Sequence, residues 1–432
     1  MGRTSRWLAV FILTAGPARS LAAEEPAGAS IGAAEAAFTL PTGVPLAGYS
    51  RRQGAPSTGA HDALGVRALA VRDAETTLVV VSADLLIVDE RLDAAVRRRL
   101  AERGAPDTLI VIMAGTHTHS GPGAYGTKLL EKVSMGHYDP KVFDAIVEAA
   151  AQAAAAALAD LGPAGAWHGA VQTQGLVENR MDAAGPVDGE LGVSAFFRPG
   201  AAVPFAVVVN FAAHPTTLGA WNRALSADYP GVVRRRIQER FSGAIGLFIA
   251  GAVGDQAPKT QGEGFERAEW FGEAVADAAL RLLEGARPEP VQIVRARTER
   301  VPLPPARVRL GRFTLPRWVG ARLVDDDATL SAAVIGRTAW FGAPCDLSAL
   351  LGDRLKQAAR AVGLSPVIVG FASDYIGYCL PEALYETKEY ESSMAFNGPK
   401  TGELVVDRLM QMLEIVRGTG QETGGRETEP LQ

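Results

Sequence analysis

Two histidines stand one residue apart in "AGTHTHSGPG", Ala114 to Gly123, at the end of an apolar run. In an extended chain residues two apart face the same side, so His117 and His119 can enter one cavity together. An imidazole can ligate a metal through one ring nitrogen or carry a proton near neutral pH. The same two residues could equally do no more than close a strand, and the bare pair leaves both readings open. His214 ends another apolar run, "VVVNFAAHP", so three of the six histidines sit at expected strand ends. Zinc takes imidazole readily and uses three or four protein ligands, which means that two histidines need acidic or phenolic company. The "SGPG" turn offers backbone N–H groups to a charged species. His61 in a loop, His137 before a helix and His168 within a strand read as surface or packing residues.

These side chains need a frame. "TLVVVSADLL" from Thr77 reads as a buried strand, and "DERLDAAVRRRLAERG" reads as a helix capped by Asp89 and stopped by Gly104. The strand "TLIVIMAG" then runs into the histidines, and the alanine-rich "DPKVFDAIVEAAAQAAAAALADLG" follows as a helix. Further strands are expected at "GAWHGAVQT", "VSAFFR", "FAVVVNFAAH", "IGLFIAG" and "PVIVGFASDYIGY", with helices between them. The fold class is α/β, a layered mixed β-sheet covered by helices, with the active site at the strand carboxyl ends. A Pro- and Arg-rich stretch at 285–308 marks a lobe boundary. No internal repeat, Walker motif or GxGxxG fingerprint is present.

With 432 residues, 47% of them hydrophobic, the chain can bury a large core. A net charge of -5 without a basic block excludes the electrostatic footprint of a nucleic-acid binder. No protein partner is legible. Residues 1–22 read as a cleavable signal peptide, with Arg3 and Arg6 before "WLAVFILTA" and a small residue at Ala22, so the protein is expected to be secreted or periplasmic. That apolar run is about half of a membrane span. Residues 419–432 are polar and glycine-rich and are expected to be disordered. Two cysteines exclude a disulfide framework as the organiser of the fold.

Beyond the single residues, "THTHSGPG", "NFAAHPTT" with "LSADYPG", and "SDYIGY" with "EYESS" resemble the neutral, non-lysosomal ceramidases. The likeness runs from "LAGYS" at Leu46 to "FNGP" at Pro399 and gives a catalytic domain over 32–418. The resemblance implies a zinc-dependent amide hydrolase that splits the N-acyl bond of ceramide-like lipids into a fatty acid and a sphingoid amine. Carried over residue by residue, the Zn2+ ligands fall on His117, His214, Asp346 and Tyr378, and the catalytic helpers on His119, Arg180 and Tyr390. His119 is suited to move the proton from water to the leaving amine. Arg180 and Tyr390 are suited to stabilise an oxyanion. A lipid substrate implies peripheral contact with a membrane or micelle surface, and "GAYGTKLLEKVSMGHYDP" is a rim or lid.

The sequence departs from that family at named places. "APCD" puts Asp346 where the family has a glutamate, one methylene longer, and "GAVGDQAP" puts Ala257 where a serine is usual, which excludes a serine nucleophile there. Typical members also carry a carboxyl-terminal β-sandwich domain, whereas this chain ends soon after "TGELVVDRLMQMLEIV". If Asp346 and Tyr378 bind one ion, then Cys345 and Cys379 lie near each other, either as a bridge or as two small buried residues. Two other functions stay open: hydrolysis of a different amide or ester, and non-catalytic binding of metal or lipid.

Overall fold

The computed structural model describes residues 28–310, 313–387 and 389–418. The expected signal peptide and carboxyl-terminal tail lie outside them. The α/β class holds, and the apolar runs become strands that divide among three mixed sheets surrounded by helices.

The first sheet contains Ser30–Ala37 (β1), Gly65–Arg72 (β2), Thr77–Ala83 (β3) and Ile110–Gly115 (β4). β1, β2 and β3 run antiparallel, and β4 lies parallel to β3 after the helix Glu90–Glu102 (α1). Asp89 caps α1 by accepting from the Leu92 N–H, as its position before the helix demands. Leu129–Met135 (α2) and Pro140–Ala159 (α3) follow. Among the described residues α3 alone is long and apolar enough to cross a membrane, but its alanine face is buried on β1 and β2. The approach is so close that a Cβ at Gly32 would lie 2.3 Å from the Ala157 carbonyl oxygen.

The second sheet contains Gly165–Gln172 (β5), Glu190–Phe197 (β6), Ala206–Phe211 (β7) and Ile245–Ala250 (β8). β5, β6 and β7 are antiparallel, and Asp228–Arg240 (α4) leads from β7 to the parallel β8. Glu266–Leu283 (α5) packs on α4. The third sheet contains Val294–Pro302 (β9), Asp327–Ile335 (β10), Thr338–Ala343 (β11) and Ser365–Gly370 (β12). β9, β10 and β11 are antiparallel, Ala349–Ala361 (α6) leads to β12 parallel to β11, and Thr401–Val416 (α7) covers β10.

One unit therefore occurs three times: an antiparallel pair, a crossover helix, and a strand parallel to the second member of the pair. No sequence repeat announces it, because the units share topology and not residues. Their inner faces meet in one cluster that includes Leu69, Val80 and Ile112, Val208 and Ile249, and Trp340 and Val369. Burying each such side chain stabilises the fold by about 1.5–3 kcal/mol. This packing brings the carboxyl ends of the parallel strands together.

Candidate metal centre

Each unit contributes to one site. His117 lies two residues beyond β4, while His214 and Asp346 lie three residues beyond β7 and β11. The chain leaving β4 folds back on the end of β3, with Thr116 N–H donating to Ala83 O at 2.8 Å and His117 N–H to Leu85 O at 2.9 Å. That hook holds His117 at a φ of 65°, a left-handed conformation that clusters at functional sites. The His117 ring stacks on Phe371 at 3.7 Å between centroids.

Three backbone carbonyls set the tautomers. Nδ1 of His117 lies 2.7 Å from Leu86 O, Nδ1 of His119 lies 3.2 Å from Gly48 O, and Nδ1 of His214 lies 3.2 Å from Val253 O. A carbonyl only accepts, so each Nδ1 carries the proton and each Nε2 keeps a bare lone pair. The three Nε2 atoms then meet, 2.9 Å apart for His117 and His214, 3.1 Å for His119 and His214, and 3.2 Å for His117 and His119. Lone pairs this close repel unless a cation lies among them. The edge of a tetrahedron with zinc–nitrogen bonds of about 2.0–2.1 Å is roughly 3.3 Å.

A carboxylate completes the set. Asp346 Oδ1 lies 3.5 Å from His117 Nε2 and is buried without a hydrogen-bond partner, while Oδ2 accepts from the Tyr375 hydroxyl at 2.8 Å. Nitrogen donors and an orphaned carboxylate oxygen fit a zinc-class ion. The short parallel pairing of Asp346–Leu347 with Tyr378–Cys379 sets Tyr378 directly beside Asp346.

Burial decides the charge states. Desolvation pushes His117 down to about 3 and holds His119 and His214 well below the ordinary histidine value, so all three rings are neutral. Desolvation pushes Asp346 up to about 7, against the pull of the Arg180 guanidinium and the Tyr375 and Tyr378 hydroxyls. Burial also opposes the charge of Arg180, but Tyr378, Glu391 and Asp346 outweigh it and raise that pKa further. Arg180 stays a fixed cation.

Arg180 is placed by Val177–Asn179, which pairs with Gln256–Pro258. Its guanidinium donates to the Tyr378 hydroxyl at 2.8 Å and to Gly254 O at 2.7 Å, and it is ion-paired with Glu391 at 2.8 Å. Tyr390 opens the short helix Tyr390–Ser393, is 62% exposed, and has its ring 6.0 Å from that of Tyr378. It belongs to the wall of the site, not to the packed centre.

All seven residues line a cavity of about 620 Å³. Leu130, Val133, Met135, Leu323, Val324 and Phe396 give part of its wall an apolar character. The expected rim after the histidines is partly helical, as α2, and supplies part of that wall.

Residues 30–274 match the family described as neutral/alkaline non-lysosomal ceramidase, N-terminal. The chain belongs to this ceramidase family. It is 27% identical over 233 residues to the neutral ceramidase of Pseudomonas aeruginosa, covering 50% of this chain and 34% of the relative. It is 27% identical over 237 residues to the neutral ceramidase of Mycobacterium tuberculosis, covering 48% of this chain and 36% of the relative. The matched stretch thus spans about a third of each of these ceramidases. The crystal structure of the Pseudomonas aeruginosa neutral ceramidase superposes with a TM-score of 0.81 at 21% identity, over 92% of this chain and 76% of that one. A ceramidase complexed with C2 superposes with a TM-score of 0.80 at 19% identity, over 90% and 75%. These two show the ceramidase fold.

In this ceramidase-family chain the structure brings together His117, His214, Asp346 and Tyr378, with Arg180 against Tyr378. His119 stands inside the histidine cluster, with its Nε2 3.1 and 3.2 Å from those of the two expected ligands, which are 2.9 Å from each other. The "SGPG" turn does not hold N–H groups open along its length, because Ser120 N–H donates to the Thr118 hydroxyl and Gly123 N–H to Pro45 O. His61 stacks on Phe265 and His168 meets the Ser194 hydroxyl, in keeping with packing roles. Cys345 and Cys379 are both free and buried, and burial followed by a hydrogen bond with Cys379 pushes the Cys345 thiol up. Sequence reasoning assigned no role to Tyr375, Glu391 or Gly48. Each sits in or beside a motif already singled out, "SDYIGY", "EYESS" and "LAGYS". The orienting carbonyls carry no side-chain signal at all.

Proposed function

We propose that the protein is a zinc-dependent amide hydrolase that cleaves the N-acyl bond of ceramide-like lipids, giving a fatty acid and a sphingoid amine. The observation that carries this reading is the convergence of the bare His117 and His214 nitrogens and the unpaired Asp346 oxygen on one point of an apolar-walled cavity, with the His119 nitrogen beside them as a further acceptor. His117, His214, Asp346 and Tyr378 would hold the ion. When bound, the metal supplies Lewis acidity and a water whose pKa falls to about 7.

The chain's own residues do the rest. His119 Nε2, kept as an acceptor by the Gly48 carbonyl, takes the proton of the attacking water and returns it to the amide nitrogen, without which the amine leaves poorly. Arg180 holds the Tyr378 hydroxyl and contributes a permanent positive charge near the developing oxyanion, and Tyr390 adds a phenolic donor from the wall. The apolar wall takes the acyl chain and excludes water, which strengthens each of these interactions.

The test is bound metal by elemental analysis together with fatty-acid release from a panel of ceramides, other N-acyl amines and esters, with His117→Ala alongside. Stoichiometric zinc and ceramide turnover that disappears in His117→Ala support the proposal. Release only from another amide or ester would replace the substrate. Metal without any turnover would make the protein a binder.

A further inference from the structure

Resting on the lipid-substrate reading, we propose that the mouth of the cavity is a docking surface for an anionic lipid bilayer, built by α2 and the segment 317–322. The long connection between β9 and β10 leaves the third sheet and returns to it, and on the way Leu323, Val324 and Asp325 enter the cavity wall. An ion pair between Lys128, at the start of α2, and Asp325 ties the two elements together at the rim.

Their outer faces are apolar where water would favour polar residues. Leu129 is 61% exposed and Val133 is 55% exposed on one turn of α2, and Trp318 is 68% exposed on the facing segment. The inner side of that segment is held by close packing of Gly320 against Ala306, so core packing does not explain the outward tryptophan. Tryptophan favours the headgroup level of a bilayer, where its ring is half buried and half wet.

Charge points to the kind of surface. The exposed side chains of 129–133 and 317–322 include the cations Lys132, Arg317 and Arg322 and no anion, since Glu131 is buried with its carboxylate on the Lys128 N–H; of the acids that follow, Asp325 and Asp327 are ion-paired with Lys128 and Arg300, and Asp326 is exposed beside them. The Arg322 guanidinium lies over the Trp318 ring at 5.4 Å. Basic residues interleaved with exposed apolar ones are the pattern that binds anionic headgroups. Continuity selects a bilayer over a soluble partner. Val133 belongs both to the exposed ridge and to the cavity wall, so an acyl chain drawn from a bilayer passes to the histidine cluster without crossing bulk water.

The experiment is co-sedimentation of the full chain with substrate-free vesicles, of phosphatidylcholine alone and of phosphatidylcholine with phosphatidylglycerol. The variants are Trp318→Ser, Leu129→Ser and the pair Arg317→Ser with Arg322→Ser. Wild type should bind the anionic vesicles better, each variant should lose about tenfold in partition, and hydrolysis of a soluble short-chain N-acyl amide should be unchanged. Absence of wild-type binding, or variants that bind as wild type does, overturns the proposal. So does a dimer in solution that Trp318→Ser dissociates, since a second copy would then cover the patch. Vesicle binding without amide hydrolysis would leave the surface standing and defeat the catalytic reading, so the two failures are distinct.

Discussion

The Tyr375 hydroxyl holds one oxygen of the Asp346 carboxylate at 2.8 Å and leaves the other facing the histidines. One hydrogen bond thereby fixes which lone pair is presented, and it does so for a side chain one methylene shorter than the family's glutamate.

Tyr375→Phe removes this hydroxyl and little else. Outer partners of ligating carboxylates commonly set metal affinity, so the variant should bind zinc about 10–100-fold more weakly in competition with a chromogenic chelator, with an unchanged circular dichroism spectrum. Equal affinity would mean that Asp346 is oriented by its backbone alone.

His119 divides two roles. As a proton carrier it is dispensable for the metal, so His119→Ala should keep near-stoichiometric zinc while turnover drops by about a hundredfold to ten-thousandfold. Loss of the metal in parallel with activity would make His119 a third imidazole ligand, which its Nε2 position permits.

Gly48 has a φ of 105°, and a Cβ there would lie 2.7 Å from Cγ and Nδ1 of His119. Gly48→Ala must therefore strain the backbone or displace the ring. A loss of about 1–3 kcal/mol in denaturant unfolding is expected, together with a turnover defect resembling that of His119→Ala. Wild-type stability and turnover would show that the loop yields easily.

Asp374 gives a pH dependence away from the proposed ligands. It accepts from the Tyr375 and Thr329 N–H groups, and burial pushes its pKa up to about 7, with Asp325 adding to the rise. A carboxyl with a raised folded-state pKa favours the fold when protonated, so its contribution is full below about 4 and is lost as pH rises to about 7. The limit is on the order of 4 kcal/mol. Asp374→Asn should therefore gain stability relative to wild type at pH 8 and lose that advantage at pH 4, as read from urea midpoints. A difference that does not change with pH would sink this assignment.

How far the sequence led is clearest at its motifs. Apolar runs such as Thr77–Ala83 and Ile110–Gly115 announced strands, and Asp89 announced a helix start, because these signals depend on neighbours within a few residues. The Pro- and Arg-rich stretch at 285–308 was legible as punctuation between α5 and the third sheet, but the strand inside it, β9, was not, because its charged, largely exposed face masks the alternation.

By itself the sequence determined the α/β class, the placing of the histidine pair at a strand end, and the family motifs. Only the tertiary structure decided that three units of one topology would bring His117, His214 and Asp346 to a single point. It also decided that the Leu86, Gly48 and Val253 carbonyls would turn three imidazoles into three bare acceptors. The reason is physical: periodicity and capping are local, whereas the direction of a lone pair here is set by packing between residues 31 to 97 positions apart.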